Sequence, residues 1–424
     1  MDPWFLEQRE KLDVPTGQSQ RYWVTIWAAP EANPGIYRGE LRVSVRDRTE
    51  AKVHLQVRVL PITLRTPPTR HGMYYHIFDP MSETSTEPMA PELQTRDIVN
   101  MREHGMNTTM VMLYPLNKGA MHDGKVSYDL EPIAHFVETC LSVGMDGGIW
   151  NTTLDPLLPQ YEGPGDLGEN VRGFVDGFKN RHWPTPTISF GDESDAHDSW
   201  GTATQIGLIK KAVPEAKTFT TIVYPKNSEL FEPDLDIRAF SSYLDGDGAR
   251  RTVEAGRSLW MYSGPGEWGM PANRYYRGLW AAALRLDGVL DWLYFNVINR
   301  DGLYNDLVSH RNGPNHRGWV MPTADGPLPT LTWEAMREGI DDGRYFFTLQ
   351  SLIDEARESS SSEAKQYADA AQAYLDTLFS QVDTREYGKR YPLHRTCDNM
   401  TASDFDTFRY QVAEHIMALQ TALQ

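Results

Sequence analysis

The sequence predicts an α/β protein: a (β/α)8 TIM barrel with a partial N-terminal β-sandwich in front and a C-terminal helical region behind. Three observations predict it. Eight short apolar runs alternate with helical periods between His71 and Phe295, the pattern of βα units around a parallel sheet. A unit of helix, Gly-Met and strand occurs twice in succession, at Gly105-Met106 and at Gly144-Met145. Before and after this block the periodicity changes, to alternation ahead of it and to long helical stripes behind it.

Residues 1–66 are expected to form the partial sandwich. Tyr22, Val24 and Ile26 alternate with Trp23, Thr25 and Trp27, and further alternation follows at Leu41 to Val45 and at Val53 to Val59. Pro34-Gly35 and Asp47-Arg48 supply turn chemistry. Three or four strands are too few for a complete sandwich, so the module reads as truncated. Arg65-Thr66-Pro67-Pro68 ends it.

Residues 67–328 are expected to form the barrel. Its strands are read at His71 to Ile77, Thr109 to Tyr114, Gly147 to Trp150, Thr187 to Phe190, Thr218 to Val223, Ile237 to Phe240, Leu259 to Tyr262 and Val289 to Phe295. The helical register is clearest at Ile133, Phe136, Val137, Cys140 and Leu141, with Gly144 where a left-handed C-cap belongs. Val171, Phe174, Val175 and Phe178 mark the next helix, and Ile206, Ile209 and Val213 another. Residues 329–424 follow as helices around Trp333 to Ile353, Tyr367 to Phe379 and Phe405 to Leu423; Ser359 to Ser362 reads as a hinge or as an N-cap.

Composition narrows the function classes. With 41 Lys and Arg against 58 Asp and Glu, the net charge is −17, so the field repels phosphate backbones and anionic membranes, and nucleic acid is not an expected partner. No apolar run approaches the ~20 residues of a membrane span, and Met1 to Glu7 lacks the form of a secretory signal. Localisation stays open, as does a homo-oligomer. Cys140 and Cys397 have no metal-ligand spacing, and no HExxH, P-loop or EF-hand pattern is present. No metal and no cofactor are expected. Gly163 to Gly168 and Gly264 to Gly269 match GxGxxG but open no strand-to-helix turn of a first βα unit, and read as loops.

Chemistry in such a barrel belongs at the carboxyl ends of the strands. The fourth strand ends Ser189-Phe190-Gly191-Asp192-Glu193. Adjacent carboxylates raise one another's pKa, and a raised carboxylic acid is a usable proton donor; a solvated acidic loop is the plainer reading. Because neighbours on a strand point to opposite sides, Asp192 and Glu193 are ill placed to act on one bond as nucleophile and acid. A protein nucleophile would have to come from Asp79, Asp245 or Glu267.

Gly191-Asp192-Glu193, the segment Pro34-Gly35-Ile36-Tyr37-Arg38-Gly39 and the run Trp333-Glu334-Ala335-Met336-Arg337-Glu338-Gly339-Ile340-Asp341-Asp342 together resemble glycoside hydrolase family 123. The resemblance implies a β-N-acetylgalactosaminidase working by substrate assistance. Glu193 would be the general acid/base, Asp192 would hold the 2-acetamido group, and a tyrosine, here Tyr243, would bond the acetamide oxygen. Trp150, Tyr262, Trp268 and Trp292 at predicted strand ends are candidate sugar contacts, since a flat apolar face with a polar edge suits a carbohydrate. Arg274 is a candidate for fixing hydroxyls or Asp192, with a helix-face ion pair as its alternative. A non-catalytic carbohydrate-binding barrel is the rival from another class.

Overall fold

The computed structural model describes residues 6, 12–45, 48–79, 88–112, 119–151, 166–189, 199–222, 229, 232–241, 244, 246–262, 270–295, 319–382 and 399–424. The chain divides into two compact units, neither of them one continuous stretch. The first comprises Met1–Glu7, Pro67–Gly343 and Leu375–Phe405, and the second Gln8–Thr66, Arg344–Tyr374 and Asp406–Gln424.

In the second unit, β1 (Gly35–Val45) and β2 (Arg48–Val59) pair antiparallel as a two-stranded sheet. The expected sandwich is not formed among the described residues. Tyr22 to Trp27 is not a strand, and its side chains are exposed. Alternation alone does not make a strand; a backbone partner and a facing layer are needed, and two strands supply too little of either. The helical parts of this unit are well packed: Phe346 stacks on Phe408 at 5.6 Å, and Arg65 bonds Glu355 at 2.5 Å.

The first unit is a closed parallel barrel of eight strands. In chain order they are β3 (Arg70–His76), β4 (Met110–Met112), β7 (Ile149–Asn151), β8 (Thr187–Ser189), β9 (Lys217–Ile222), β10 (Ile237–Ser241), β11 (Ser258–Tyr262) and β12 (Gly288–Asp291). Each is parallel to the next, and β12 closes on β3 through Gly288↔Arg70 to Asp291↔Met73. Each overlaps a run read from the sequence, β4 and β8 lying wholly inside theirs and the other six extending one residue beyond. Two antiparallel hairpins were not anticipated: β5 (Gly119–His122) with β6 (Lys125–Tyr128), and β13 (Val320–Thr323) with β14 (Gly326–Pro329). The first turns at Asp123-Gly124, where both residues have positive φ, as a tight hairpin requires.

Helices α1 (Pro91–Glu103), α2 (Glu131–Ser142) and α3 (Leu167–Asn180) pack their apolar faces on the outer side of the barrel. Ile98, Phe136, Val137, Phe174 and Phe178 meet Met73, Tyr75, Val111 and Ile188 there. The two Gly-Met units end α1 and α2 in the same way. Gly105 and Gly144 take φ of 88° and 79°, and the next amides reach back five residues, Met106 to Met101 and Met145 to Cys140. This bond pattern with glycine at the left-handed position is a Schellman cap. Asp166, in the first GxGxxG match, is the N-cap of α3 in a capping box with Glu169.

The long helix Leu331–Glu358 carries the Trp333-to-Asp342 motif, and the motif is a docking device. Trp333 is buried, stacks on His104 at 4.7 Å and donates to Asn100 Oδ1 at 3.0 Å. Glu334 bonds His104 at 3.2 Å and Arg337 at 2.7 Å. Gly339 admits the helix Met270–Tyr275: a Cβ there would lie 2.4 Å from the Arg274 carbonyl oxygen. That contact is backbone, so relief requires moving a helix. Gly339→Ala is therefore expected to cost about 1–3 kcal/mol, as overpacking does, read as a lower urea midpoint at unchanged slope. Ser361 accepts from the Ala364 amide at 3.1 Å and caps the helix Ser362–Phe379, which decides between hinge and N-cap at Ser359 to Ser362.

Asp97 on α1 gives the fold a pH dependence. It is buried and accepts from Tyr75 Oη at 2.9 Å. Burial drives its carboxyl up to about 7, against a smaller downward pull from the Tyr75 bond. The folded state thus holds this proton more tightly than the unfolded state. Its contribution is fully present below the ordinary value near 3.8 and is lost as the pH rises through 7. The loss is up to about 4 kcal/mol from one such group. Urea midpoints from pH 4 to 8 should fall in the parent and fall less in Asp97→Asn; parallel curves would remove Asp97 as the cause.

Among the described residues no helix is long and apolar enough to cross a membrane, and no group of three His, Cys, Asp or Glu forms a metal-ligand cluster.

Candidate active site at the barrel mouth

Parallel register decides which side chains face the barrel interior. Residues paired across parallel strands lie on the same side, so Tyr74↔Met110 and Ser241↔Tyr262↔Leu290 trace the inner surface. The buried interior group contains Tyr74, Met110, Phe219, Ala239, Trp260, Tyr262 and Leu290. Gly288 makes room for Trp260: a Cβ there would meet the indole at 2.2 Å.

Toward the carboxyl ends of β3, β11 and β12, neighbours in the sheet, aromatic rings collect. Tyr74 lies 5.0 Å from Tyr262 and 5.1 Å from Trp292, both tilted, and His76 meets Trp292 edge-on at 6.1 Å. These separations are those of favourable ring pairs. Trp292 directly follows β12 and is only partly buried. Burial lowers the His76 imidazole to about 4, so near neutrality it is an uncharged hydrogen-bonding group rather than a cation. On the same inner surface, at the end of β8, the Ser189 hydroxyl is buried and makes no hydrogen bond among the described residues. Near these strand ends a buried aromatic pair, Tyr74 and Tyr262, thus lies beside the partly buried Trp292 and His76, with the buried Ser189 hydroxyl on the same inner surface.

The structure brings two of the expected contacts, Tyr262 and Trp292, into one group. Trp150 stands on β7, its backbone paired with Val111 and Ile188, and its side chain lies outside what is described. Arg274 is not at the mouth group. Its guanidinium bonds Asp342 at 2.8 Å and lies over the Phe405 ring at 4.8 Å, so the ion-pair alternative describes it. Asp192, Glu193, Tyr243 and Trp268 lie outside the described residues, as do Asp245 and Glu267. Asp79 is described, three residues beyond β3 and partly buried.

Tyr74, His76 and Ser189 were missed in the sequence. Tyr75 and Tyr294 both face the outer layer: Tyr75 stacks on Phe136 at 5.2 Å, and Tyr294 donates to Asn100 at 2.9 Å. The parity of β3 separates Tyr74 and His76 from Tyr75, and only the pairing with β4 and β12 fixes it.

No family model matches the chain, and no curated protein matches it. Solved structures similar to it are glycoside hydrolases at low identity. The GH2 β-galacturonidase from Eisenbergiella tayi bound to galacturonate is 14% identical over 74% of this chain and 60% of that one, with a TM-score of 0.43. Xylanase 10B from Thermotoga maritima is 12% identical over 65% of this chain and 96% of that one, with a TM-score of 0.40. The endo-1,4-β-mannanase from Rhizomucor miehei is 12% identical over 53% of this chain and 86% of that one, with a TM-score of 0.34. The chain thus spans 60% of the length of the galacturonidase.

Proposed function

We propose that this protein is a retaining glycoside hydrolase that removes terminal β-linked N-acetylhexosamine, N-acetylgalactosamine being the preferred sugar, by substrate-assisted catalysis. The observation that carries this reading is the aromatic group of Tyr74, Tyr262 and Trp292 inside the barrel at the carboxyl ends of its strands. The fourth strand of the same barrel ends at Ser189, and the Asp192-Glu193 pair follows it in the chain. In such barrels those ends carry the chemistry.

In the proposed reaction the acetamide oxygen of the substrate attacks its own anomeric carbon, forming a cyclic oxazolinium and breaking the glycosidic bond. Glu193 gives its proton to the departing oxygen. Asp192 balances the positive charge that grows on the acetamide nitrogen, and Tyr243 bonds the acetamide oxygen. Water, deprotonated by Glu193, then opens the ring with net retention. No second protein carboxylate is required, which fits two acids on adjacent residues.

The test compares nitrophenyl β-N-acetylgalactosaminide, β-N-acetylglucosaminide and β-galactoside. Hydrolysis of the two acetamido sugars, the first faster, with the galactoside inert, is the expected result. Equal hydrolysis of all three would eliminate acetamide participation. Binding of the sugars without turnover would favour a non-catalytic carbohydrate-binding barrel.

A further inference from the structure

Strand order sets what stands across the barrel from β8. In the closed ring β10-β11-β12-β3-β4-β7-β8-β9, β12 is four strands from β8 in either direction, and β3 is next to β12. His76 ends β3, and Trp292 directly follows β12. Both share the inward parity of Tyr74 and Leu290, members of the interior group. Unlike Tyr74 and Tyr262, at 1% and 6% exposure, they are only partly buried. The two rings meet edge-on at 6.1 Å. Among the described residues no group bonds either ring nitrogen of His76. Burial lowers the imidazole, with no charged neighbour contributing, so near neutrality it carries one N–H donor and one acceptor nitrogen.

On the N-acetylhexosaminidase reading, on which this rests, we infer that His76 binds the O4 hydroxyl of the sugar and thereby sets the preference between C4 epimers. An eight-stranded barrel has room inside for one small ligand, so a sugar held at one wall presents its far edge to the opposite wall. In the proposed reaction the acids that follow β8 work at C1 and at the acetamido group on C2. Across a pyranose ring from C1 lies C4, so O4 is directed toward β12 and β3. C4 is also the one centre at which N-acetylgalactosamine and N-acetylglucosamine differ. A hydroxyl both donates and accepts, and a neutral imidazole answers it with one group of each kind.

The test is a cycle of kcat/KM values for the parent and His76→Phe on nitrophenyl β-N-acetylgalactosaminide and its 4-deoxy analogue. Phenylalanine keeps a ring against Trp292 and removes both polar atoms. The parent should lose about 10- to 100-fold on the 4-deoxy sugar, and His76→Phe should lose as much on the 4-hydroxy sugar, as a deleted buried hydrogen bond costs. With both changes made, the loss should be no larger than with either. His76→Gln, which restores a donor and an acceptor, should recover part of the activity and of the preference over β-N-acetylglucosaminide. Should His76→Phe fail to fold, the parent and His76→Gln on the two sugars still decide it: Gln must lose less than the parent does on removal of O4. Equal losses by His76→Phe on the 4-hydroxy and 4-deoxy sugars overturn the assignment, because a merely structural role would act on both. So does a parent indifferent to O4. A parent that turns over neither N-acetylhexosaminide defeats the glycosidase reading itself and this assignment with it, whereas turnover with uncoupled losses removes His76 alone.

Discussion

Glu193→Gln is expected to lower kcat/KM by about 10²–10⁴ on substrates whose leaving group is a sugar or an alcohol, the usual worth of a positioned general acid. A poor leaving group cannot depart as an anion, so the first step needs the proton that Glu193 supplies. A dinitrophenolate departs unaided, and with that substrate the loss in the first step should nearly vanish. The second step then becomes the slow one, since water attack on the cyclised acetamide needs Glu193 as base. The diagnostic is thus a split. With dinitrophenyl substrate the variant should show a burst followed by slow turnover, and azide, which needs no deprotonation, should restore the steady rate. Equal losses with good and poor leaving groups would move the acid role away from Glu193. Asp192→Asn should behave differently, slowing both classes of substrate alike, because the charge on the acetamide nitrogen develops whichever group leaves.

The parts of the fold that the sequence showed are those decided by neighbours along the chain. The caps at Gly105 and Gly144 are local: a residue tolerant of positive φ, followed by an apolar one that closes the turn. The helical faces of α2 and α3 are equally local, and their stripes point at the barrel as the spacing says. Decisions made across the chain were not visible. Tyr22 to Trp27 has the alternation of a strand and pairs with no strand among the described residues. Barrel strands are buried on both sides, so their apolar runs do not announce which residues face inward. Tyr74 and Tyr75 are adjacent, both are buried, and one lies in the interior group while the other lies in the helix layer. Arg274 met the same difficulty, its partner Asp342 standing 68 residues later. Within the Trp333-to-Asp342 run, the sequence showed a resemblance but not a role; buried stacking, an ion pair and a glycine contact account for it in physical terms. The hairpin at Asp123-Gly124 is a different case, because the turn dipeptide was there to be read.

Asp291→Ala is expected to destabilise the barrel by about 3–5 kcal/mol, the cost of leaving one member of a desolvated ion pair behind. Asp291 ends β12 and Arg277 lies in the π-helical turn Tyr276–Trp280. Their side chains pair at 0% and 1% exposure, and Arg277 also donates to the Val289 carbonyl at 2.9 Å. Alanine removes the anion while the guanidinium, which does not give up its proton inside proteins, stays in the layer between sheet and helix. The nearby His71 imidazole, held down to about 3 by burial and then by the Arg277 charge, is neutral and supplies no anion. Against a total stability of ~5–15 kcal/mol, such a loss would bring the unfolding midpoint close to working conditions. Removing both charges with apolar residues of similar size, Asp291→Leu with Arg277→Met, should recover most of it, because the double change also removes the desolvation of two ions. Urea midpoints of the two single variants and the double variant form the cycle. A single-variant loss below ~1 kcal/mol would mean that water reaches the pair. Additive losses in the double variant would mean that Asp291 and Arg277 stabilise the barrel independently of their pairing, Arg277 through its bond to the Val289 carbonyl.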